Sequence, residues 1–169
     1  ATGLLDGGVL PVIKHIPGHG RALADSHLEL PRVEASLAEL EATDFAPFLA
    51  LRSSPWAMTA HVVYAAIDPT APATISSLMI NGVIRGRLGF EGVLVSDDLG
   101  MKALSGPPAE RARAALEAGC DVVLHCSGDF DEMRAIAGAC PPLTAAAQAR
   151  LARARALRTP PRPFDAVAG

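Results

Sequence analysis

The chain has 169 residues, half of them hydrophobic, which suits one domain with a substantial core. Its formal net charge is −3 and its 15 lysines and arginines form no run, so it offers no electrostatic footprint for nucleic acid or an anionic membrane surface. No stretch approaches the roughly 18 apolar residues of a membrane span, and the three cysteines, Cys120, Cys126 and Cys140, form no Cys-x-x-Cys pair. An odd, unpaired set reads as free thiols in a reducing compartment, so the expected location is the cytoplasm.

Taken in order, residues Ala1 to Gly7 read as the last turns of a helix stopped at Gly7-Gly8. The apolar run Val9 to Ile13 predicts a first strand, followed by a loop rich in glycine, proline and histidine. A long helix is expected over Arg32 to Arg52, with Val33, Leu37, Leu40, Phe45, Phe48 and Leu49 near one face and a bend at Pro47. The run Ala57 to Tyr64 predicts a second strand, and a helix follows from Ser76, a good N-cap, to Leu88, before Gly89. A third strand is expected at Gly92 to Ser96, where Val93-Leu94-Val95 has the continuous apolar character of a strand buried on both faces. A helix from Pro107 to Ala118 stops at Gly119, and a fourth strand lies at Asp121 to Leu124. Helices at Phe130 to Ala139 and Thr144 to Leu157 complete the pattern, and Thr159 to Gly169, with three prolines, reads as an irregular tail.

This βα rhythm supplies four units, whereas a closed barrel of parallel strands needs eight in about 250 residues. The expected fold is α/β, of the (β/α)8 TIM-barrel type, with about the second half of the barrel in residues 1–158 and a tail at 159–169. The chain would then be a fragment, a processed product, or a piece completed by a second chain or by a missing N-terminal half. An open doubly wound sheet is the alternative from periodicity, but no dinucleotide-type glycine turn follows the first strand.

The first strand leads into Lys14-His15-Ile16-Pro17-Gly18-His19-Gly20 and then Asp25-Ser26-His27. The C-terminal ends of parallel barrel strands form the catalytic face. With one residue between them, Asp25 can accept a hydrogen bond from one ring nitrogen of His27 and leave the other for a substrate, an arrangement suited to proton transfer near neutral pH. An isolated Asp-x-His is more often a capped turn beside a solvated histidine. His15, His19, Asp25 and His27 are each credible metal ligands, but the prolines and glycines exclude helical presentation and a flexible loop is a poor cage, so no metal is expected.

A second centre is Ser96-Asp97-Asp98-Leu99. Period-two alternation puts Val93, Val95 and Asp97 on one face and Leu94, Ser96 and Asp98 on the other, so one carboxylate faces a ligand and its neighbour is free to cap. Alternation leaves open which does which. His61 reads as a buried, satisfied histidine, Met101 as either pocket lining or core, and Trp56 as packing. Tyr64 lies at the second strand's exit, and His125, after the fourth strand, is given no role.

The segments KHIPGHG at Lys14 to Gly20, DSH at Asp25 to His27, AHVVY at Ala60 to Tyr64, LGFEGVLVSDDLGM at Leu88 to Met101 and AGCDVVL at Ala118 to Leu124 together resemble glycoside hydrolase family 3. Within the family they more closely resemble the bacterial cytoplasmic β-N-acetylglucosaminidases of cell-wall recycling. The resemblance covers about residues 7 to 130 in the family's order and spacing. It implies a retaining double displacement in which Asp97 is the nucleophile and His27, paired with Asp25, is the acid and base. Lys14 and His15 would hold hydroxyls of an N-acetylglucosamine ring. The implied substrate is a muropeptide-type carbohydrate bearing terminal β-linked N-acetylglucosamine, with no metal or organic cofactor. Ile16 stands where the family usually has an aromatic residue, and further sugar-binding groups of the family, an aspartate and an arginine, belong to the N-terminal half. Two rival readings remain: a non-catalytic half-barrel that does not turn over sugar on its own, and a metal-dependent hydrolase using the histidine loop.

Overall fold

The computed structural model describes residues 1–160. Of the tail expected from Thr159, all beyond residue 160 lies outside the described residues. Among the described residues the strands are β1 (Val12–Ile16), β2 (Arg32–Val33), β3 (Trp56–Thr59), β4 (Val63–Tyr64), β5 (Val93–Asp98) and β6 (Val122–Leu124). Helices are α1 (Thr2–Asp6), α2 (Leu37–Glu39), α3 (Ala46–Ala50), α4 (Pro108–Ala118), α5 (Phe130–Ala139) and α6 (Ala145–Ala156), with π-helical stretches at Leu40–Asp44 and Leu78–Arg87.

Four strands form one parallel sheet in chain order, β1-β3-β5-β6, as successive βα units require. Strand β5 lies in its interior, where Val93 and Leu94 are fully buried and Val95 nearly so, matching the apolar run. The outer strands are less covered: Val12 on β1 is 45% exposed and all of β6 is only partly buried. The core collects Ile16, Ala57, Leu94 and Leu99 from the sheet and its loops with Ile80, Ile84, Ala112 and Ala115 from the helical layer. Each fully buried leucine or isoleucine among them contributes about 1.5–3 kcal/mol.

The helix ends follow their chemistry. Ser76 accepts from the Met79 amide at 3.1 Å, Asp129 from Asp131 and Glu132, and Thr144 from Ala147. Gly119 ends α4 at φ 122°, and a Cβ there would stand 2.9 Å from Ile80 Cγ2, so the close approach of α4 to the preceding helix needs glycine.

Four expectations are corrected. The first strand starts after Pro11, which has no amide to donate, and so carries Lys14 and His15 within it rather than in the loop beyond. The helix expected from Arg32 begins instead at Leu37. Ser36 and Glu39 form a capping box there, while Arg32–Val33 pairs in parallel with Val63–Tyr64 as a small second sheet. Pro47 opens the separate helix α3 rather than bending a continuous one. The run Ala57 to Tyr64 is likewise two strands, interrupted after Thr59.

Candidate active site

At the C-terminal ends of β1, β3 and β5 stand His15, Thr59 and Asp97, the first and last of them one residue before their strands stop. His15 Nε2 stands 3.5 Å from Asp97 Oδ2, and the other carboxylate oxygen of Asp97 accepts the Asp98 amide at 2.9 Å. The Asp97 side chain is 12% exposed. Asp98 turns the other way. Its Oδ1 accepts from the Gly100 and Cys126 amides at 2.9 and 3.0 Å and so closes the turns after β5 and β6. Period-two alternation does not distinguish the two aspartates; the fold gives Asp98 the capping contacts and turns Asp97 toward His15. Burial holds the half-buried His15 imidazole below its usual range, only partly offset by Asp97, so it is neutral near pH 7.

Lys14 is exposed and lines, with His15, His19 and Asp44, a shallow cavity of about 340 Å³. The loop after β1 is tied at its base. The Tyr64 hydroxyl donates to the Gly18 carbonyl, and Arg21 pairs with Asp44 at 2.6 Å. Gly18, at φ 140°, lies where a Cβ would come within 2.8 Å of the Asp44 carbonyl, so the loop sits directly on the end of the helical stretch Leu40–Asp44. Two cis peptide bonds, Lys14–His15 and Ile16–Pro17, occur in this segment.

Further along, Asp25 Oδ1 accepts from both the His27 amide, at 2.9 Å, and His27 Nδ1, at 2.8 Å. These two bonds hold the Asp25 carboxyl below the usual carboxylate range. A carboxylate can only accept, so Nδ1 carries the proton and Nε2 faces outward. The pair is open to solvent, with side chains 58% and 74% exposed, and among the described residues His27 makes no ion pair with Asp97. The structure thus joins Asp25 to His27 and His15 to Asp97 as two separate pairs. No cluster of three or more potential metal ligands is assembled among the described residues.

Sequence reasoning gave His61 a bland reading and missed what surrounds it. The histidine is fully buried and satisfied, but its partners are Thr74 Oγ1, at 2.7 Å, and the Asp98 carbonyl, at 3.0 Å. Thr59 and Thr74 carry no signal in the sequence that distinguishes them from other core threonines. His125 is also enclosed, with Nε2 2.8 Å from Glu132.

A parallel βα sheet whose strand ends present a carboxylate and imidazoles has the active-site face of a TIM-barrel-type protein. Residues 1–157 match the glycosyl hydrolase family 3 N terminal domain, and the chain belongs to that family. It is similar to the β-hexosaminidase of Alkalilimnicola ehrlichii, 53% identical over 130 residues, which are 75% of this chain and 37% of that protein. The β-hexosaminidase of Neisseria meningitidis serogroup C is 46% identical over 138 residues, covering 78% of this chain and 38% of the relative. Among solved structures, NagZ from Neisseria gonorrhoeae in complex with N-trifluoroacetyl-D-glucosamine superposes with a TM-score of 0.78 at 41% identity, over 90% of this chain and 44% of that one. A family 3 β-N-acetylglucosaminidase from Paenibacillus sp. gives a TM-score of 0.79 at 36% identity, over 92% of this chain and 32% of that one. The chain therefore spans well under half the length of the curated relatives it matches, 37% and 38%.

Proposed function

We propose that this chain is the C-terminal half, residues 1–158, of the barrel domain of a retaining exo-β-N-acetylglucosaminidase acting on muropeptide-type substrates in peptidoglycan recycling. The observation that carries the reading is the Asp97 carboxylate at the end of an interior strand, one oxygen fixed by the Asp98 amide and the other turned to His15. The similarity to β-hexosaminidases, and to a NagZ bound to a glucosamine derivative, supports the sugar class. A cytoplasmic location is supported by the three free cysteines.

In the first displacement an Asp97 oxygen bonds to the anomeric carbon while the glycosidic C–O bond breaks, and the proton of protonated His27 passes to the leaving oxygen. In the second, neutral His27 takes a proton from water, the water oxygen bonds to the anomeric carbon, and the Asp97 ester bond breaks. The Asp25 bond to Nδ1 keeps Nε2 as the atom that exchanges the proton and stabilises the imidazolium. Lys14 and His15 bind ring hydroxyls.

Release of p-nitrophenol from its β-N-acetylglucosaminide by the purified chain, with Asp97→Ala as control, tests the reading. Activity lost in the variant supports it, and equal activity in both proteins sinks the nucleophile assignment. A second reading, an incomplete half-barrel that binds or turns over nothing by itself, is favoured by the 45% exposure of Val12 on an outer strand of the sheet. Absence of turnover with a self-associating or aggregating chain would support it.

A further inference from the structure

We propose that Thr59, Thr74 and His61 are positioning residues that form a closed, proton-ordered ring of hydrogen bonds clamping the backbone on both sides of the Asp97 side chain. The inference rests on Asp97 being the nucleophile; the ring itself is read from hydrogen-bond geometry together with the burial of His61.

Thr59, Thr74 and His61 are each 0% exposed. Buried polar groups in such surroundings must be paired, so the proton positions follow from which atoms can only donate or only accept. The Asp98 carbonyl only accepts, so His61 Nε2, 3.0 Å away, carries a proton. Burial holds His61 below its usual range against the pull of Asp97, Asp98 and the Asp98 carbonyl, with Arg111 acting alongside burial. The ring is therefore neutral and its Nδ1 is an acceptor. The Thr74 hydroxyl, 2.7 Å from Nδ1, donates to it in preference to the Ala60 carbonyl at 3.1 Å. Having spent its proton, Thr74 Oγ1 accepts from the Thr59 hydroxyl at 2.8 Å, and Thr59 Oγ1 accepts from the Asp97 amide at 3.3 Å.

The order is then Asp97 N–H to Thr59, Thr59 to Thr74, Thr74 to His61, and His61 to the Asp98 carbonyl. It occurs where the ladder ends: β3 stops at Thr59, so the Asp97 amide takes a side-chain partner instead of a strand. The clamp fixes the peptide unit whose own N–H, that of Asp98, holds Asp97 Oδ1. A fully satisfied network of this kind has one proton arrangement and resists displacement.

The test is nitrogen NMR of the ¹⁵N-labelled chain, combined with kinetics. In the unaltered chain His61 should show one neutral tautomer, protonated at Nε2, with Nδ1 shifted by an accepted hydrogen bond; protonation at Nδ1 or a mixture of tautomers overturns the ring. Thr74→Val keeps the shape and removes the hydroxyl. It should move the His61 Nδ1 and Asp97 amide resonances and speed exchange of the Asp97 amide, and Thr74→Ser should restore all of them. Unchanged Asp97 signals in Thr74→Val overturn the proposal even if the chain proves inactive. Where the chain turns over substrate, Thr74→Val should lower kcat on the order of tenfold with KM nearly constant, the signature of a misplaced reacting group. An unchanged kcat would reject the positioning role while leaving the nucleophile assignment intact.

Discussion

His15 Nε2 and Asp97 Oδ2 meet at 3.5 Å although their strands, β1 and β5, are not neighbours in the sheet. Strand β3 lies between them, so both side chains must project over the end of the same sheet to come this close. His15 is neutral there because burial outweighs the pull of Asp97, so the carboxylate faces an uncharged imidazole.

The adjacent aspartates should separate cleanly on mutation. Asp97→Asn removes the nucleophile and should lower kcat by about a thousandfold or more, with little change in the unfolding midpoint. Asp98→Ala frees the Gly100 and Cys126 amides and should cost about 1 kcal/mol of stability. Matched kinetics and urea titrations of the two variants check the assignment, and the reverse pattern would exchange their roles.

Asp25→Ala should release His27 from its fixed tautomer and lower kcat by roughly a hundredfold, at the lower end of what general acid–base catalysis contributes. Because the Asp25 carboxyl lies below its reference value of 3.8, the bond to His27 should be present above that value and lost as pH falls through the lower, folded-state one. The His27 Nδ1–H resonance followed from neutral into acid pH reports this directly.

Asp121 is predicted to matter for stability and not for chemistry. Its buried carboxylate pairs with Arg85 and Arg150, each at 2.8 Å, and accepts the Leu94 amide at 2.9 Å, so it ties α6 and the helix Leu78–Arg87 to β5. Asp121→Ala would leave Arg85 half-buried without its partner and the Leu94 amide unpaired, a loss of about 3–5 kcal/mol. Chemical denaturation measures it; a loss under about 1 kcal/mol would show that Asp121 is not the tie.

Stability should fall on mild acidification. His15 and His61 both have folded-state values below 6.5, so between those values and 6.5 the unfolded chain binds more protons. Their contribution is complete above about pH 6.5 and declines as pH drops toward the folded-state values. Urea midpoints across this range should rise with pH, and His61→Gln should flatten the dependence.

The sequence by itself determined the class of fold and much of the local structure. Apolar runs such as Val93-Leu94-Val95, the cap at Ser76 and the stop at Gly119 are short-range signals, each set by which backbone groups need partners or which φ a residue tolerates. The motifs also carried the family, since KHIPGHG, DSH and SDD occur in one order. Tertiary structure decided the rest. Whether Arg32–Val33 is helix or strand depended on Val63–Tyr64, some 30 residues away, offering a strand to pair with. Which aspartate faces His15 depended on the orientation of β5 in the sheet, which alternation cannot supply. His61 looked like an ordinary core histidine because hydrogen bonding between buried side chains, reaching from Thr74 to the Asp98 carbonyl, leaves no periodic mark in the chain.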